Sequence, residues 1–374
     1  MFKVRMVKGP ARVFVKGACH VLGSDVSGQI VKVRPGKALP FEPRNQWCRL
    51  RVQLGYGARL WWADPRQAGI SMWHSISEQV FALVANKKAI TTVMLVGDTD
   101  TGKSTLSIYL ANTAIRNGLI PSIIDGDIGQ GDLAPPTAIG AAVLSKQLVD
   151  LRDINASQFE FIGGISPVGF ETLIAKKLRS ILDRIRTSSL TNICIVNTDG
   201  YVRDSGGVQY KAMIVEELKP DAIICLGENV ELFDRQQQNN TESCQILRAS
   251  RSSQVYKSRL ERLNRRLDQF LRYVGHESSI AKLSQIKFDY MNKVFSPSDL
   301  FNQPPTKQLK AENMNGMFVG LGSSSNVIGF GVIINVNLGN DIIHIQTNIN
   351  SFDTIYLSDV RLLGDDRIME IPLI

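Results

Sequence analysis

Apolar and polar positions alternate with a period of two through about the first 76 residues. The alternation is clearest in "ARVFVKG", "GQIVKVR", "CRLRVQLG" and "ARLWWAD", each closed by Gly, Asp or a charged residue. A period of two puts successive side chains on opposite faces of an extended chain, so this region predicts short β-strands punctuated by turns. From about residue 77 the period changes. A short β-rich run at 91–96 precedes Leu106, Tyr109, Leu110, Thr113 and Ala114, which recur at helical spacing before Gly118. The apolar runs "IPSIID" (120–125), "NICIVN" (192–197) and "DAIICL" (221–226) predict further strands. Between the first two, Phe170, Leu173, Ile174, Leu178, Ile181, Leu182 and Ile185 form one face of a helix. Alternating strand and helix predicts a parallel sheet covered on both sides. After the Pro-rich "SPSDLFNQPPTKQ" (296–308) strands return in "GFGVIINVNL", "DIIHIQTNI" and "TIYLSDVRLL". The pattern predicts an α/β chain in three parts: a β domain over 1–76, an α/β domain over 77–303 and a second small β domain over 304–374.

The junction between the first predicted α/β strand and its helix carries the chemistry. Gly97, four residues, then Gly102, Lys103 and Ser104 make the G-x-x-x-x-G-K-[ST] pattern, in which successive backbone N–H groups cradle nucleotide phosphates. The loop enters a helix N-terminus, whose dipole adds to the lysine charge. Gly97, Asp98, Thr99, Asp100, Thr101, Gly102, Lys103, Ser104 and Thr105 are therefore the predicted nucleotide-binding residues. Lys103 is expected as a solvent-facing phosphate ligand and Ser104 as a hydroxyl ligand to Mg²⁺.

A second motif ends the strand "IPSIID": Asp125, Gly126, Asp127, Ile128, Gly129, Gln130. A carboxylate at the C-terminal edge of such a strand can hold Mg²⁺ or its waters, and the next one two residues later points the same way along an extended chain. One serves the metal while the other takes a proton from an incoming hydroxyl or water. Asp125 is assigned to the metal and Asp127 to the proton. The basic stretch 248–272 sets eight basic side chains against two acidic ones, a net charge of +6. If it is helical, Arg262 and Arg266 share a face and can close over phosphates.

Composition adds limits. The chain has 374 residues and a net charge of +8, which suits a polyanionic partner without requiring one. Five cysteines at Cys19, Cys48, Cys194, Cys225 and Cys244 form no C-x-x-C pair, so buried free thiols in a reducing compartment are expected. Four scattered histidines argue against a histidine metal site. No stretch approaches the length of a membrane span, and the expectation is a soluble, intracellular chain placed in the cytoplasm, without a membrane partner. All four tryptophans (Trp47, Trp61, Trp62, Trp73) fall in or just after the first region, where packing a small β core is the favoured reading and base stacking the other.

Taken in order, these motifs resemble those of the polynucleotide 5′-hydroxyl kinases, the family of the RNA kinase subunit of the mRNA cleavage machinery, pre-ribosomal RNA kinases and archaeal RNA kinases. D-x-D-x-G-Q follows the phosphate loop, "FIGGISPVG" (161–169) is similar to the family's F-x-G-x-x-S-P segment, and "NTDGYVRDSGG" (197–207) resembles its T-x-G-W clasp. Arg262 and Arg266 fit its R-x-x-x-R lid. The resemblance implies a P-loop NTPase core flanked by two small β domains, ATP or another NTP with Mg²⁺, RNA and DNA ends bearing a 5′-hydroxyl as substrates, and RNA-processing protein partners. It implies catalytic roles for Lys103, Asp127, Arg262 and Arg266, and acceptor contacts by Gln130, Ser166, Thr198, Gly200 and Tyr201. Two positions depart from the family pattern. Tyr201 stands where tryptophan is usual, keeping an aromatic face for stacking, and Asp98 stands where many members have proline.

Two other readings were weighed. A nucleotide-binding scaffold of an RNA-processing complex would have shed Lys103, Ser104, Asp127 or the lid arginines, and all are present. A GTPase switch would carry N-K-x-D, which is absent.

Overall fold

A computed structural model describes residues 3–87, 89–188, 190–227, 244–249, 257–363 and 367–370. Within the basic stretch, Arg251 lies outside the described residues. The chain divides into two compact units, one of 1–124, 142–155 and 182–265, the other of 125–141, 156–181 and 266–374.

The first unit opens with two antiparallel sheets. One orders its strands Ser24–Asp25, Cys19–Val21, Ala38–Pro43, Val4–Lys8, Arg59–Ala63, and the other Ile30–Val33, Ala11–Lys16, Arg49–Leu54. All four runs read as strands from the sequence are strands. The tryptophans correct the packing expectation: Trp73 is buried, but Trp47 and Trp62 are exposed. Trp62 lies opposite Arg5 in the register, and the Arg5 guanidinium covers its ring at 4.5 Å.

Parallel strands form the rest of this unit. Thr91–Gly97 is flanked by Ile193–Thr198 and Ala222–Leu226, and Gln245–Ala249 follows on the outer side. Buried on both faces, Val93, Met94, Leu95 and Val96 read as a continuous apolar run. Helix α1 (Ile70–Ala85) precedes this sheet and helix α2 (Lys103–Arg116) leaves its central strand. The predicted face of α2 is buried, and so are Ile108, Ala111 and Asn112. The reason is that the N-terminal strands cover its other side. Asn112 makes that junction: its Nδ2 donates to the Leu22 and Leu148 carbonyls, each at 2.7 Å, and its Oδ1 accepts from Leu148 N at 3.0 Å. Losing the amide would leave buried carbonyls unpaired, at a cost of about 1–3 kcal/mol each. A second tie is Asp150, which is buried and takes Lys37 Nζ at 2.9 Å and Arg34 Nη1 at 3.0 Å.

The second unit holds an antiparallel strand pair, Ala138–Val143 with Gln158–Phe161, so the α/β part is mixed rather than wholly parallel. It also holds a larger sheet in the order Ser278–Lys282, Ile342–Gln346, Asn326–Asn337, Met317–Ser323, Thr354–Leu363, Lys287–Tyr290, Lys293–Phe295. Three of these strands precede the boundary expected at 303/304, so the sequence division cuts the sheet. Phe288, Leu300, Met317, Leu321, Ile333, Ile345 and Ile355 fill its core. Helix α3 (Glu171–Ser188) crosses from this unit to the first and buries the predicted face, with Leu173 alone half-exposed.

All five cysteines are free. Cys19, Cys194 and Cys225 are buried as expected, whereas Cys48 and Cys244 are half-buried. No helix among the described residues is long and apolar enough to cross a membrane.

Candidate active site

The phosphate loop turns on two residues in the left-handed region, Asp100 (φ 58°) and Gly102 (φ 97°). Gly97 has no room for a side chain: a Cβ would meet the Leu226 carbonyl at 2.6 Å and Thr101 Oγ1 at 2.8 Å. Lys103, expected in solvent, is instead only 7% exposed. Its Nζ donates to the carbonyls of Gly97 at 2.7 Å and Asp98 at 2.8 Å, and Thr101 Oγ1 donates to Asp98 O at 2.9 Å. The amine is therefore folded back onto its own loop, with two of its donors spent on backbone carbonyls. Thr99 is exposed, and Thr105 is half-buried at the start of α2. Ser104 Oγ accepts from Asn197 Nδ2 at 3.3 Å, which orients its lone pairs.

Both loop aspartates are engaged. Asp98 Oδ1 accepts from Thr99 N at 2.6 Å and Oδ2 from Arg203 Nε at 2.7 Å. Asp100 takes Arg262 Nη2 at 2.8 Å and Lys257 Nζ at 3.4 Å. Burial works against ionisation of Asp100, but Lys257 and Arg262 outweigh it and hold the carboxyl below its ordinary range. The lid stretch is helical, α5 at Arg259–Tyr273, following α4 at Ser205–Leu218. Arg262 thus reaches the phosphate loop itself.

The clasp abuts that loop. A Cβ on Gly200 would lie 2.5 Å from Thr99 Cγ2 and 2.7 Å from Thr99 N, so only glycine permits the approach. The Thr198 hydroxyl is buried and donates to Leu95 O at 2.7 Å, fixing the strand beneath. Tyr201 is half-buried, its ring 6.2 Å from that of Tyr210 and tilted by 31°. Under it lies a cluster the sequence reading missed. Asp199 Oδ1 takes Tyr201 N at 2.8 Å and the fully buried Lys211 Nζ at 2.9 Å, while Asp199 Oδ2 takes the Tyr210 hydroxyl at 2.7 Å. A buried lysine paired to a buried carboxylate fixes geometry, since breaking either partner strands a charge. Lys211 falls on a helix with no motif around it, and only the fold reveals its partner.

In the second unit, Asp125 is buried and its Oδ2 accepts from Asp132 N at 2.6 Å and Leu133 N at 3.3 Å. Asp127 is half-exposed, and its Oδ1 accepts from Gly129 N at 3.1 Å and Gln130 N at 2.9 Å. That is an Asx-type turn, and it aims the carboxylate with one oxygen. Asp127 Oδ2 has no hydrogen-bond partner among the described residues. Gly129 is required because a Cβ there would lie 2.6 Å from the Ile165 carbonyl, in the "FIGGIS" segment. Ser166 follows, half-exposed, with Oγ accepting from Val168 N at 3.4 Å, and Gln130 is half-exposed.

The C-terminal half of α5 clamps this turn. Arg266 Nε donates to Gly129 O at 3.0 Å, and Gln269 Nε2 donates to the carbonyls of Gly131 (3.2 Å), Asp132 (3.1 Å) and Ala134 (3.3 Å). Tyr273 donates its hydroxyl to Leu133 O, and burial pushes that hydroxyl up to about 12, so it stays a donor. Gln269 and Tyr273 carried no sequence signal, because the carbonyls they hold belong to an irregular turn. Arg262 and Arg266 share α5 but have separate attachments.

Comparison with known proteins agrees with these motifs. Residues 97–276 match the family model of the mRNA cleavage and polyadenylation factor CLP1 P-loop. The chain is 35% identical over 149 residues to a polyribonucleotide 5′-hydroxyl-kinase of Pyrococcus horikoshii, covering 40% of each protein. It is 26% identical over 379 residues to a CLP1 homolog of Nematostella vectensis, covering 88% of this chain and 85% of that one. The alignments to the first archaeal relatives thus span well under two thirds of those proteins. Among solved structures, Clp1p in a wild-type Clp1p–Pcf11p complex shares the fold, with a TM-score of 0.68 at 14% identity over 96% of this chain and 94% of that one. The central segment of the chain, residues 97–276, is thus similar to the Clp1 P-loop family, and its relatives include proteins named polyribonucleotide 5′-hydroxyl-kinase.

Proposed function

We propose that the chain is a polynucleotide 5′-hydroxyl kinase, transferring the γ-phosphoryl group of ATP or another NTP to the 5′-hydroxyl of RNA, with DNA as a second acceptor. The observation that carries this reading is Asp127, with one carboxylate oxygen pinned by Gly129 and Gln130 and the other uncommitted. A carboxylate held in that way suits an acceptor hydroxyl: it takes the proton as the 5′-oxygen attacks Pγ and the bond from Pγ to the β-bridging oxygen breaks. The products are a 5′-phosphorylated end and a nucleoside diphosphate. The relatives' name, polyribonucleotide 5′-hydroxyl-kinase, points to the same acceptor.

In this reading Lys103 leaves the carbonyls of Gly97 and Asp98 for the β and γ phosphates, and the loop N–H groups bind the remaining oxygens. Arg262 and Arg266 neutralise the charge on the departing γ group. Tyr201, with Gly200, faces the acceptor end, and Thr198 supports them from below. Gln130 and Ser166 flank the acceptor. Magnesium belongs to the proposal as well. Ser104 and Asp125 offer hard oxygen donors, and no group of three or more His, Cys, Asp or Glu among the described residues forms an alternative cation site. Such a sparse set fits an ion held largely by nucleotide oxygens and water. When bound, it would neutralise phosphate charge as a Lewis acid. A protein partner from an RNA-processing assembly is supported by the Clp1p–Pcf11p complex.

The test is to incubate the protein with Mg²⁺, γ-labelled ATP and 5′-hydroxyl RNA and DNA oligonucleotides. Label at the 5′ ends is the expected result. Label released only as free phosphate would make the chain an ATPase and overturn the reading.

A further inference from the structure

The three-stranded sheet of Ile30–Val33, Ala11–Lys16 and Arg49–Leu54 has one buried face and one in solvent. The register places Arg12 opposite Lys32 and Lys16 opposite Arg49, with Phe14 between Ile30 and Arg51. All five cations are exposed, and Gln53 completes the face without adding a charge. No carboxylate points outward from any of the three strands. None of the five cationic side chains forms a hydrogen bond or ion pair with a described residue. This contrasts with Arg34 and Lys37 nearby, both paired with Asp150.

Like charges directly opposite one another destabilise an antiparallel pair. Two such pairs stand on one small face, so the arrangement lowers the stability of the sheet unless a polyanion covers it. Its middle is aromatic: the Arg51 guanidinium lies 6.0 Å from the centroid of the half-exposed Phe14 ring. Trp47, also exposed, sits at the Lys16 end, where its carbonyl would lie 2.7 Å from a Cβ on Gly17. Cations two residues apart on a strand are about 6.6 Å apart, a step suited to successive phosphates of an extended strand. Flat rings among cations suit unpaired bases lying over a tracked backbone. An acidic peptide would use the charges and leave the rings idle.

We propose that this outer face is a nucleic-acid-binding surface, which holds the phosphodiester backbone of single-stranded RNA on its cations and stacks a base on Phe14. Binding here is separate from phosphoryl transfer, so it is measured without nucleotide and stands or falls apart from the kinase reading.

The experiment is fluorescence anisotropy of the full chain with a labelled 20-nucleotide single-stranded RNA across a salt series. The triple variant Arg12→Gln, Lys32→Gln, Arg49→Gln should weaken binding about 100-fold at 0.1 M salt and flatten the plot of log affinity against log salt by about 2, one phosphate per cation. Its thermal midpoint should hold or rise, because like charges have been removed. Phe14→Ala should weaken binding while leaving the salt slope in place. An unchanged slope and affinity in a folded triple variant would overturn the proposal. So would displacement of the RNA by polyglutamate at equal charge concentration, which would make the face a site for acidic protein.

Discussion

The phosphate loop and the carboxylate turn at 125–133 are both glycine-dependent turns at the end of a sheet strand, yet they distribute their polar groups in opposite ways. In the loop, Lys103 bonds back to the Gly97 and Asp98 carbonyls, Asp98 is held by Arg203, and Asp100 is held by Arg262. In the turn, Asp125 Oδ2 accepts from backbone N–H groups, and Asp127 keeps one oxygen without a hydrogen-bond partner among the described residues. In the proposed kinase the loop would exchange internal bonds for phosphate bonds, whereas Asp127 would take the acceptor's proton without first giving up a bond on its Oδ2. Binding energy and chemistry should separate between them under mutation.

The largest expected effect is at the turn. Asp127→Asn keeps the turn, since the amide oxygen still accepts from Gly129 and Gln130, and removes the base. Single-turnover transfer should fall by about 10² to 10⁴ with nucleotide affinity nearly unchanged. Next is Lys103→Ala, which should slow transfer by about 10² to 10³ through loss of a charge fixed on the phosphates. It should also weaken nucleotide binding and, in the free protein, take the lysine's hydrogen bond from the Gly97 carbonyl while Asp98 O keeps that of the Thr101 hydroxyl, costing about 1–3 kcal/mol in denaturant unfolding. Tyr201→Ala comes third: steady-state kinetics should find the oligonucleotide KM raised by about 1–3 kcal/mol with kcat little altered, and Tyr201→Trp should restore it. The smallest effect belongs to Arg203→Ala. The arginine is largely exposed, so its pair with Asp98 contributes no more than about 1 kcal/mol. The KM for nucleotide should rise by a few fold, as the Asp98 carboxylate then lacks the Arg203 charge that offsets it beside the phosphate loop.

Much of this was legible in the sequence because it rests on local order. Period-two and helical spacing give the strands and α2 and α3, and the phosphate loop is contiguous, so Gly97 to Ser104 are set by backbone shape alone. What escaped depends on partners that only the folded chain brings together. Lys103 looked solvent-facing because its carbonyl partners lie in its own loop only once that loop has closed. Lys211 and Tyr210 acquire meaning from Asp199, and Gln269 from three carbonyls of the 131–134 segment. Trp47 and Trp62 were misread because alternation fixes which residues share a face without saying which face is buried. The strands Ser278–Lys282 and Lys287–Tyr290 were missed because the Pro-rich stretch suggested a boundary beyond them, although their partners lie later in the chain.

The most direct test of the division between the two turns is a crossed measurement on Lys103→Ala and Asp127→Asn: nucleotide affinity by equilibrium titration, and the transfer rate to a 5′-hydroxyl RNA at saturating nucleotide. The account predicts weakened nucleotide binding in Lys103→Ala, and near-normal binding with transfer slowed by about 10² or more in Asp127→Asn. Weakened binding in Asp127→Asn with a normal transfer rate from the bound complex would contradict it and return Asp127 to the nucleotide side.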